Sequence, residues 1–368
     1  MDQRPVRARQ LGVQFGEFDA GAGDAITDVP GVAVGHTTLS AGADVRTGVT
    51  AIVPAQVMPA GAQCAAAVAV GNGYGKLVGA TQVAELGSIE TPILLTATLS
   101  TFRVADALVE YMLARPGYEA VQSINPVVGE TNDGFLSDIR ARPLRYEHVA
   151  AAIDGAGGGP VAEGAVGAGT GTGALGFKAG VGTASRVLAG QPAPVTVGAL
   201  VQANFSGTLT VMGVPIPSDA ALAGVAAAAA GQPDERAGNS CVIVVATDAP
   251  LDARQLSRVA RRALAGLART GSDFAGGSGD YAIAFSTASP GQRAIPDADL
   301  DPVFRATIDS VEEAILNSLF MARTTAGYRG HVKYAVPHEW VRRACATAAS
   351  RSAAPVSRNG PGGGGPGA

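Results

Sequence analysis

Charge is scarce in this chain. Only 16% of its 368 residues are Asp, Glu, Lys or Arg, and the net charge is −4. There is no Lys/Arg run or basic stripe, and aromatic residues make up 5%. Both the phosphate-neutralising surface and the stacking residues of a nucleic-acid binder are therefore missing. Cysteine is nearly absent. Cys64, Cys241 and Cys345 are odd in number and far apart, which excludes a disulfide framework and CxxC metal spacing. Cys64 and Cys241 lie in apolar runs and read as small buried hydrophobes. The histidines, His36, His148, His331 and His338, never pair at i, i+3 or i+4, and HExxH does not occur. The sequence thus calls for no metal and no cofactor. No Ser/His/Asp triad is legible from spacing, although triads are spatial and spacing alone does not exclude one. No uninterrupted apolar stretch could span a bilayer, and the Ala-rich run 221–230 is too short and too weakly apolar. The opening MDQRPVRARQLGVQFGEFDAG has basic residues but no apolar segment after them. It is not a secretory signal peptide, so a soluble cytoplasmic protein is expected.

What the chain has is glycine, 50 residues of it, and apolar side chains at 47%. Its length suits one large domain or two. Short apolar runs bounded by Gly, Pro or Asp predict strands at Val49–Pro54, Ala65–Val70, Ile93–Ala97, Val195–Gln202, Thr208–Val214, Val242–Thr247 and Tyr281–Ser286. Helices are predicted over 74–87, 101–114, 146–154, 252–269 and 302–323. Asp252 is the expected N-cap of the fourth, with no capping box, and Asp301 that of the fifth, with Pro302 at its first position. Hairpin-linked strands beside helix-linked ones favour a mixed α/β fold with sheets covered by helices. The expected organisation is an N-terminal extension over 1–24 and a single catalytic domain over 25–349, with a linker at 217–239. A disordered Gly/Pro-rich tail is expected over 350–368. Two glycine motifs mislead. GTGALG at 171–176 fits G-x-G-x-x-G but has no clear preceding strand and no βαβ unit around it. GNGYGK at 71–76 hints at a P-loop, but Val70 and Leu77 stand where Gly and Ser/Thr belong. Both read as close backbone turns around a cleft.

The most informative stretch is RAGNSCVIVVATDAP at 236–250. A flexible lead-in ends at Asn239, and Ser240 opens a run of β-formers. Cleavage between Asn239 and Ser240 would give Ser240 both a hydroxyl nucleophile and a free α-amine. That amine, with an unperturbed pKa of about 7.7–8.0, could act as the base. On local pattern alone, a hydroxyl at a strand start is the commoner reading. Cys241 should face the opposite side of the strand.

NSCVIVVATDAPLDARQLSRVARRA resembles the nucleophile segment of the family containing the L-aminopeptidase D-amidase/D-esterase and the β-peptidyl aminopeptidases. Further blocks match in the same order: ITDVPGVAVGHTTL at 26–39, VGNGYGKLVG at 70–79, INPVVGETNDGFLSDIR at 124–140, GAVGAGTGTGALGFKAGVGTASR at 164–186, LVQANFSG at 200–207 and GGSGDYAIAFST at 276–287. The resemblance implies a four-layer α/β/β/α sandwich of N-terminal-nucleophile type, cleaved into residues 1–239 and 240–368. It implies Ser240 as nucleophile, with a Ser-x-acidic pair at Ser278 and Asp280 to orient or charge-stabilise the new amine or hydrogen-bond the nucleophile. The β-peptidyl aminopeptidases carry Glu at this acidic position. Asp280 is one methylene shorter, which puts direct reach in doubt. The resemblance gives Asn204 the role of oxyanion donor, and a second donor is not placed. A carboxylate is the simplest grip on a substrate's protonated amine, and Glu130 is the candidate. Asn132 stands nearby, and Asp133 in NDG reads as structural. Asn72 and Gly73 are expected to line the pocket.

The implied activity is hydrolysis of amide or ester bonds next to a free N-terminal amine in small peptides or amino-acid derivatives, by a homo-oligomer, a tetramer of cleaved protomers. Two alternatives stay open. One is acyl transfer of the ornithine-acetyltransferase type, whose nucleophile is usually Thr. The other is a non-cleaving homologue that only binds or assembles.

Overall fold

Unbroken apolar runs bury both faces of a strand, and such strands occupy the middle of a covered sheet. Ser240–Thr247 (β14) and Gly279–Ser286 (β15), buried along their whole length, are such a pair, parallel and adjacent. The structure, a computed structural model, describes residues 4–189, 194–224, 239–289, 291, 292 and 294–353.

The central pair belongs to a six-stranded sheet. Its order is Val181–Leu188 (β10), Val195–Asn204 (β11), β14, β15, Cys64–Gly73 (β3) and Ser88–Ile89 (β5). A second sheet has the order Val32–Ala41 (β1), Val45–Pro54 (β2), Ile93–Ala97 (β6), Val127–Thr131 (β7) and Leu77–Val78 (β4). Short hairpins pair Gly173–Ala174 (β8) with Phe177–Lys178 (β9), Leu209–Val211 (β12) with Val214–Ile216 (β13), and Thr325–Ala326 (β16) with Val332–Lys333 (β17). The helices are Ala80–Leu86 (α1), Thr101–Leu113 (α2), Tyr146–Asp154 (α3), Ser218–Ala221 (α4), Ala253–Arg269 (α5), Asp301–Phe320 (α6) and His338–Ala353 (α7).

Three hydrophobic cores define four layers. One lies between α5, α6 and the six-stranded sheet, a second between the sheets, and a third under α2 and α3. The expected α/β/β/α sandwich is the architecture found. Strand alternation sorts the residues of β14. Cys241, Ile243 and Val245 join the helix-side core, while Val242, Val244 and Ala246 join the core between the sheets. Leu256, Val259, Ala260, Ala263 and Leu267 of α5 recur at helical spacing on its buried side. Each buried Leu or Val contributes about 1.5–3 kcal/mol.

Several boundaries differ from expectation. The stretch Thr208–Val214 is a hairpin, β12 to β13, turning through Met212 and Gly213 with φ of 49° and 76°. Positive φ at both positions is the geometry of a two-residue hairpin turn. The helix expected over 74–87 is shortened to α1, because β4 pairs with β7 and Gly79 has φ 85°. Asp252 does form a capping box: its side chain accepts from Gln255 N at 2.7 Å, and the Gln255 side chain accepts from Asp252 N at 3.2 Å. Asp301 is the first residue of α6, after Leu300 as N-cap, with no side-chain cap. Within the expected linker 217–239, Ser218–Ala221 is helical, and 225–238 lie outside the described residues. In the expected tail, 350–353 continue α7, and 354–368 lie outside the described residues. Of the expected extension 1–24, residues 1–3 lie outside the described residues, and Ala8, Leu11, Val13 and Phe15 pack into the helix-side core. Its Arg9 pairs at 2.8 Å with Glu313, which also holds the buried Arg186 at 2.7 Å.

Candidate active site

Ser240 is the first residue of β14 and is 4% exposed. It is flanked by Asn204, the last residue of β11, and by Gly279, the first of β15. The ends of three adjacent strands therefore meet at one hydroxyl. Ser240 Oγ lies 2.5 Å from the carbonyl oxygen of Asn239, the residue before it. Gly279 N–H points at the same place, 3.2 Å from Ser240 Oγ and 3.4 Å from Asn239 O. This donor left no signal in the sequence, because a backbone N–H has no residue type. Only glycine fits there: a Cβ on Gly279 would stand 2.6 Å from Gly75 Cα and 3.2 Å from Ser240 Oγ.

Asn204 Oδ1 accepts from Gly173 N at 3.1 Å. That bond fixes which end of the amide is the oxygen and turns the other end, Nδ2, into a donor of set direction. The Asn239 side chain is also anchored. Its Nδ2 donates to Ser206 Oγ at 2.9 Å, and Ser206 donates to Asp273 at 2.7 Å. Neither Ser206 nor Asp273 stood out in the sequence.

Ser278 and Asp280 are both buried, and Ser278 donates to Asp280 Oδ1 at 2.7 Å. Burial pushes the Asp280 carboxyl above its ordinary range, and the Ser278 bond partly offsets this. Among the described residues, the buried Oδ2 of Asp280 has no hydrogen-bond partner. Asp280 pairs with Cys241 in the register and lies on the helix side with Ala282 and Ala284, whereas the Ser240 side chain shares the parity of Val242 and faces between the sheets. The main chain of Ser240 lies in the sheet, in register with Asn204 on one side and Gly279 on the other.

Glu130, 1% exposed, ends up beside this cluster. Its Oε1 accepts from Lys76 N at 2.8 Å, with Lys76 Nζ at 3.6 Å, and its Oε2 accepts from Thr98 Oγ1. A Cβ on Gly75 would lie 3.0 Å from Glu130 Oε1 and 3.1 Å from Gly279 Cα, so one glycine separates the carboxylate from the strand end. Tyr281 donates to Gly75 O at 2.7 Å and pins that segment. Lys76 sits in the stretch dismissed as a P-loop, and Thr98 and Tyr281 carried no signal.

Asn72 and Asn132 both make local hydrogen bonds. Asn72 Nδ2 is occupied by the carbonyls of Ala275, Gly276 and Ser278, so this side chain shapes the turn carrying Ser278. Asn132 Oδ1 accepts from Gly134 N at 2.8 Å, closing its own turn. Gly73 is exposed and pairs with Gly279. Asp133 is buried beneath this turn, and burial raises its carboxyl to about 7. Among the described residues, no three His, Cys, Asp or Glu side chains gather as a metal site.

Known proteins share this arrangement of chain. The model of peptidase family S58 matches residues 24–333. The β-peptidyl aminopeptidase BapA of Sphingosinicella xenopeptidilytica is 41% identical, with 92% of this chain and 90% of that protein covered. The solved β-aminopeptidase of a Burkholderia species is 37% identical at a TM-score of 0.82, covering 93% of this chain and 99% of that one. The L-aminopeptidase D-Ala-esterase/amidase of Ochrobactrum anthropi, described as a prototype serine aminopeptidase and a variant of the Ntn hydrolase fold, is 36% identical at a TM-score of 0.83. That match covers 93% of this chain and 98% of that one. The chain belongs to peptidase family S58 and is a hydrolase of the aminopeptidase and amidase class.

Proposed function

We propose that Ser240 is the nucleophile of a self-processing serine aminopeptidase. The observation that carries this reading is the contact of Ser240 Oγ with the carbonyl of its own preceding residue, under the N–H of Gly279. In the uncut chain Ser240 Oγ attacks the Asn239 carbonyl carbon, and the C–N bond breaks as the acyl group moves to oxygen. Water then hydrolyses the ester, leaving a carboxylate on Asn239 and an α-amine on Ser240. Ser206 and Asp273 hold Asn239 in place for that step.

The amine then takes the hydroxyl proton as substrate is attacked and returns it to the leaving group. Its partner is the Ser278–Asp280 pair. An unpartnered buried carboxylate oxygen is costly, and an ammonium formed at Ser240 supplies the missing donor to Asp280. Asn204 Nδ2 and Gly279 N–H form the oxyanion site. Glu130 takes the substrate's ammonium. In the uncut chain Lys76 Nζ stands by the same carboxylate, which supports a cation at this position. The substrates are small peptides or amino-acid amides and esters with a free amine. The family likeness extends the proposal to a tetramer of cleaved protomers.

Hydrolysis of β-alanyl p-nitroanilide beside its N-acetyl derivative tests this reading. The wild type should turn over the free amine and leave the acetylated compound intact. Glu130→Gln should lose roughly tenfold or more in kcat/KM, mainly through KM, since a charge-assisted contact becomes a neutral one. Equal turnover of both compounds would remove Glu130 from amine recognition.

A further inference from the structure

Next to Glu130 the surface opens into a cleft of about 410 Å³ lined by Lys76, Thr98, Leu99, Phe102, Arg140 and Arg142. Thr98 and Lys76 are the two residues that hold the Glu130 carboxylate. The cleft and the amine site therefore share a wall.

Its lining side chains carry positive charge. Among the described residues, the guanidinium groups of Arg140 and Arg142 have no carboxylate within 4.0 Å, and neither do those of Arg103 and Arg145 behind them, while Asp138 is engaged by the main-chain N of Arg140 at 3.1 Å. The contrast with another surface cleft is direct. The opening of about 670 Å³ over Gly16, Glu17, Arg269, Arg305 and Asp309 is neutralised internally, with Arg269 on Asp309 at 2.8 Å and Arg305 on Glu17 at 3.0 Å. Two guanidinium groups without a carboxylate partner therefore line the cleft, and two more stand behind them on the Arg142 carbonyl.

The backbone that carries Arg142 is also held in place. Arg142 has φ 45°, a left-handed conformation disfavoured for a residue with a side chain. Its carbonyl accepts from Arg103 Nη1 at 2.5 Å and Arg145 Nη1 at 2.6 Å. Arg142 is the left-handed C-cap of the 3-10 turn Ile139–Ala141, so its backbone is fixed by that turn as well as by the two guanidinium donors. Exposed Leu99 and Phe102 give the cleft an apolar flank for methylene groups.

If Glu130 holds the substrate's ammonium, a group entering this cleft must branch from the residue that bears the amine. We propose that the cleft is a subsite for a carboxylate on the substrate's N-terminal residue, which selects acidic N-terminal residues over neutral ones. Two substrates supply that chemistry: an α-linked aspartyl residue through its side chain, and a β-linked aspartyl residue through its α-carboxylate. The guanidinium fork suits either. This inference rests on the reading of Glu130 as the amine site.

The test compares isosteric pairs in the full-length enzyme and in the double variant R140Q/R142Q. One pair is α-aspartyl and asparaginyl p-nitroanilide. The other is the β-p-nitroanilide of aspartate and its α-amide. The wild type should favour the acid in at least one pair by about tenfold or more in kcat/KM, through KM. In R140Q/R142Q the ratio should approach unity because the acid loses affinity, while the amide keeps its kcat/KM. The pair that responds identifies the linkage. Ratios near unity for both pairs in the wild type would overturn the proposal. So would a variant-sensitive preference for Ala-Ala over Ala-Ala amide alone, which would put the carboxylate on the leaving group. Should the double variant fail to fold, the wild-type ratio at low and high salt decides: it should fall with salt, and a flat ratio overturns the proposal. Failure of the amine reading shows separately, as turnover of N-acetyl-β-alanyl p-nitroanilide.

Discussion

Ser240→Ala should lower kcat by a factor of about 10⁴ or more, because removing a nucleophile that works as a unit with its base removes the whole covalent route. The variant should keep its fold. Ser240 is buried at the end of a central strand, its backbone pairing with Asn204 and Gly279 does not involve the hydroxyl, and the change removes one oxygen atom. Gly279 N–H loses Ser240 Oγ but still faces Asn239 O at 3.4 Å. Steady-state kinetics with β-alanyl p-nitroanilide and a circular dichroism melt separate loss of chemistry from loss of fold. A folded Ser240→Ala protein within tenfold of wild-type turnover would place the nucleophile elsewhere.

Asn204→Ala should cost about 10²–10³ in kcat, or roughly 3–4 kcal/mol of transition-state stabilisation, with little change in KM. An oxyanion donor acts on charge that develops only as the tetrahedral intermediate forms, so ground-state binding is spared. Asn204 also anchors Gly173 N–H, and a purely structural role must be separated from a chemical one. Asn204→Asp does this. Its carboxylate still accepts from Gly173, but it offers no amide donor and brings negative charge to the oxyanion site. Both variants should fall alike in kcat. Full activity in Asn204→Asp would assign Asn204 to positioning the Gly173 turn and leave Gly279 as the oxyanion donor.

The parts of the fold legible in the sequence were those whose residue types match their burial. The strand stretches Val242–Thr247 and Tyr281–Ser286 are apolar on both faces, and α2, α3 and α5 have clear helical spacing. β10 was not legible. Its VGTASRVL puts Thr183, Ser185 and Arg186 into buried positions, where partners far along the chain satisfy them: Ala199 for Thr183, Asp28 for Ser185 and Glu313 for Arg186. Long-range compensation of this kind cannot be seen in a local window. The hairpin at β12 and β13 is not legible because its turn begins with Met212, a residue that gives no turn signal. At the site, the family resemblance points to Ser240, Ser278, Asp280 and Asn204, and the need for a carboxylate against a protonated amine points to Glu130. Gly279 and Gly75 act through their backbones, and Lys76, Thr98 and Tyr281 acquire their neighbours only when β3, β6, β7 and β15 assemble.

Cleavage of the chain between Asn239 and Ser240 is the step on which the amine base depends. Intact-mass spectrometry under denaturing conditions, on freshly purified wild type beside Ser240→Ala, tests it most directly. The wild type should give two masses, those of residues 1–239 and 240–368, and Ser240→Ala a single uncut chain of 36.6 kDa. A single uncut mass from wild-type protein that is active on β-alanyl p-nitroanilide would contradict the account, since Ser240 would then have no free amine to act as its base.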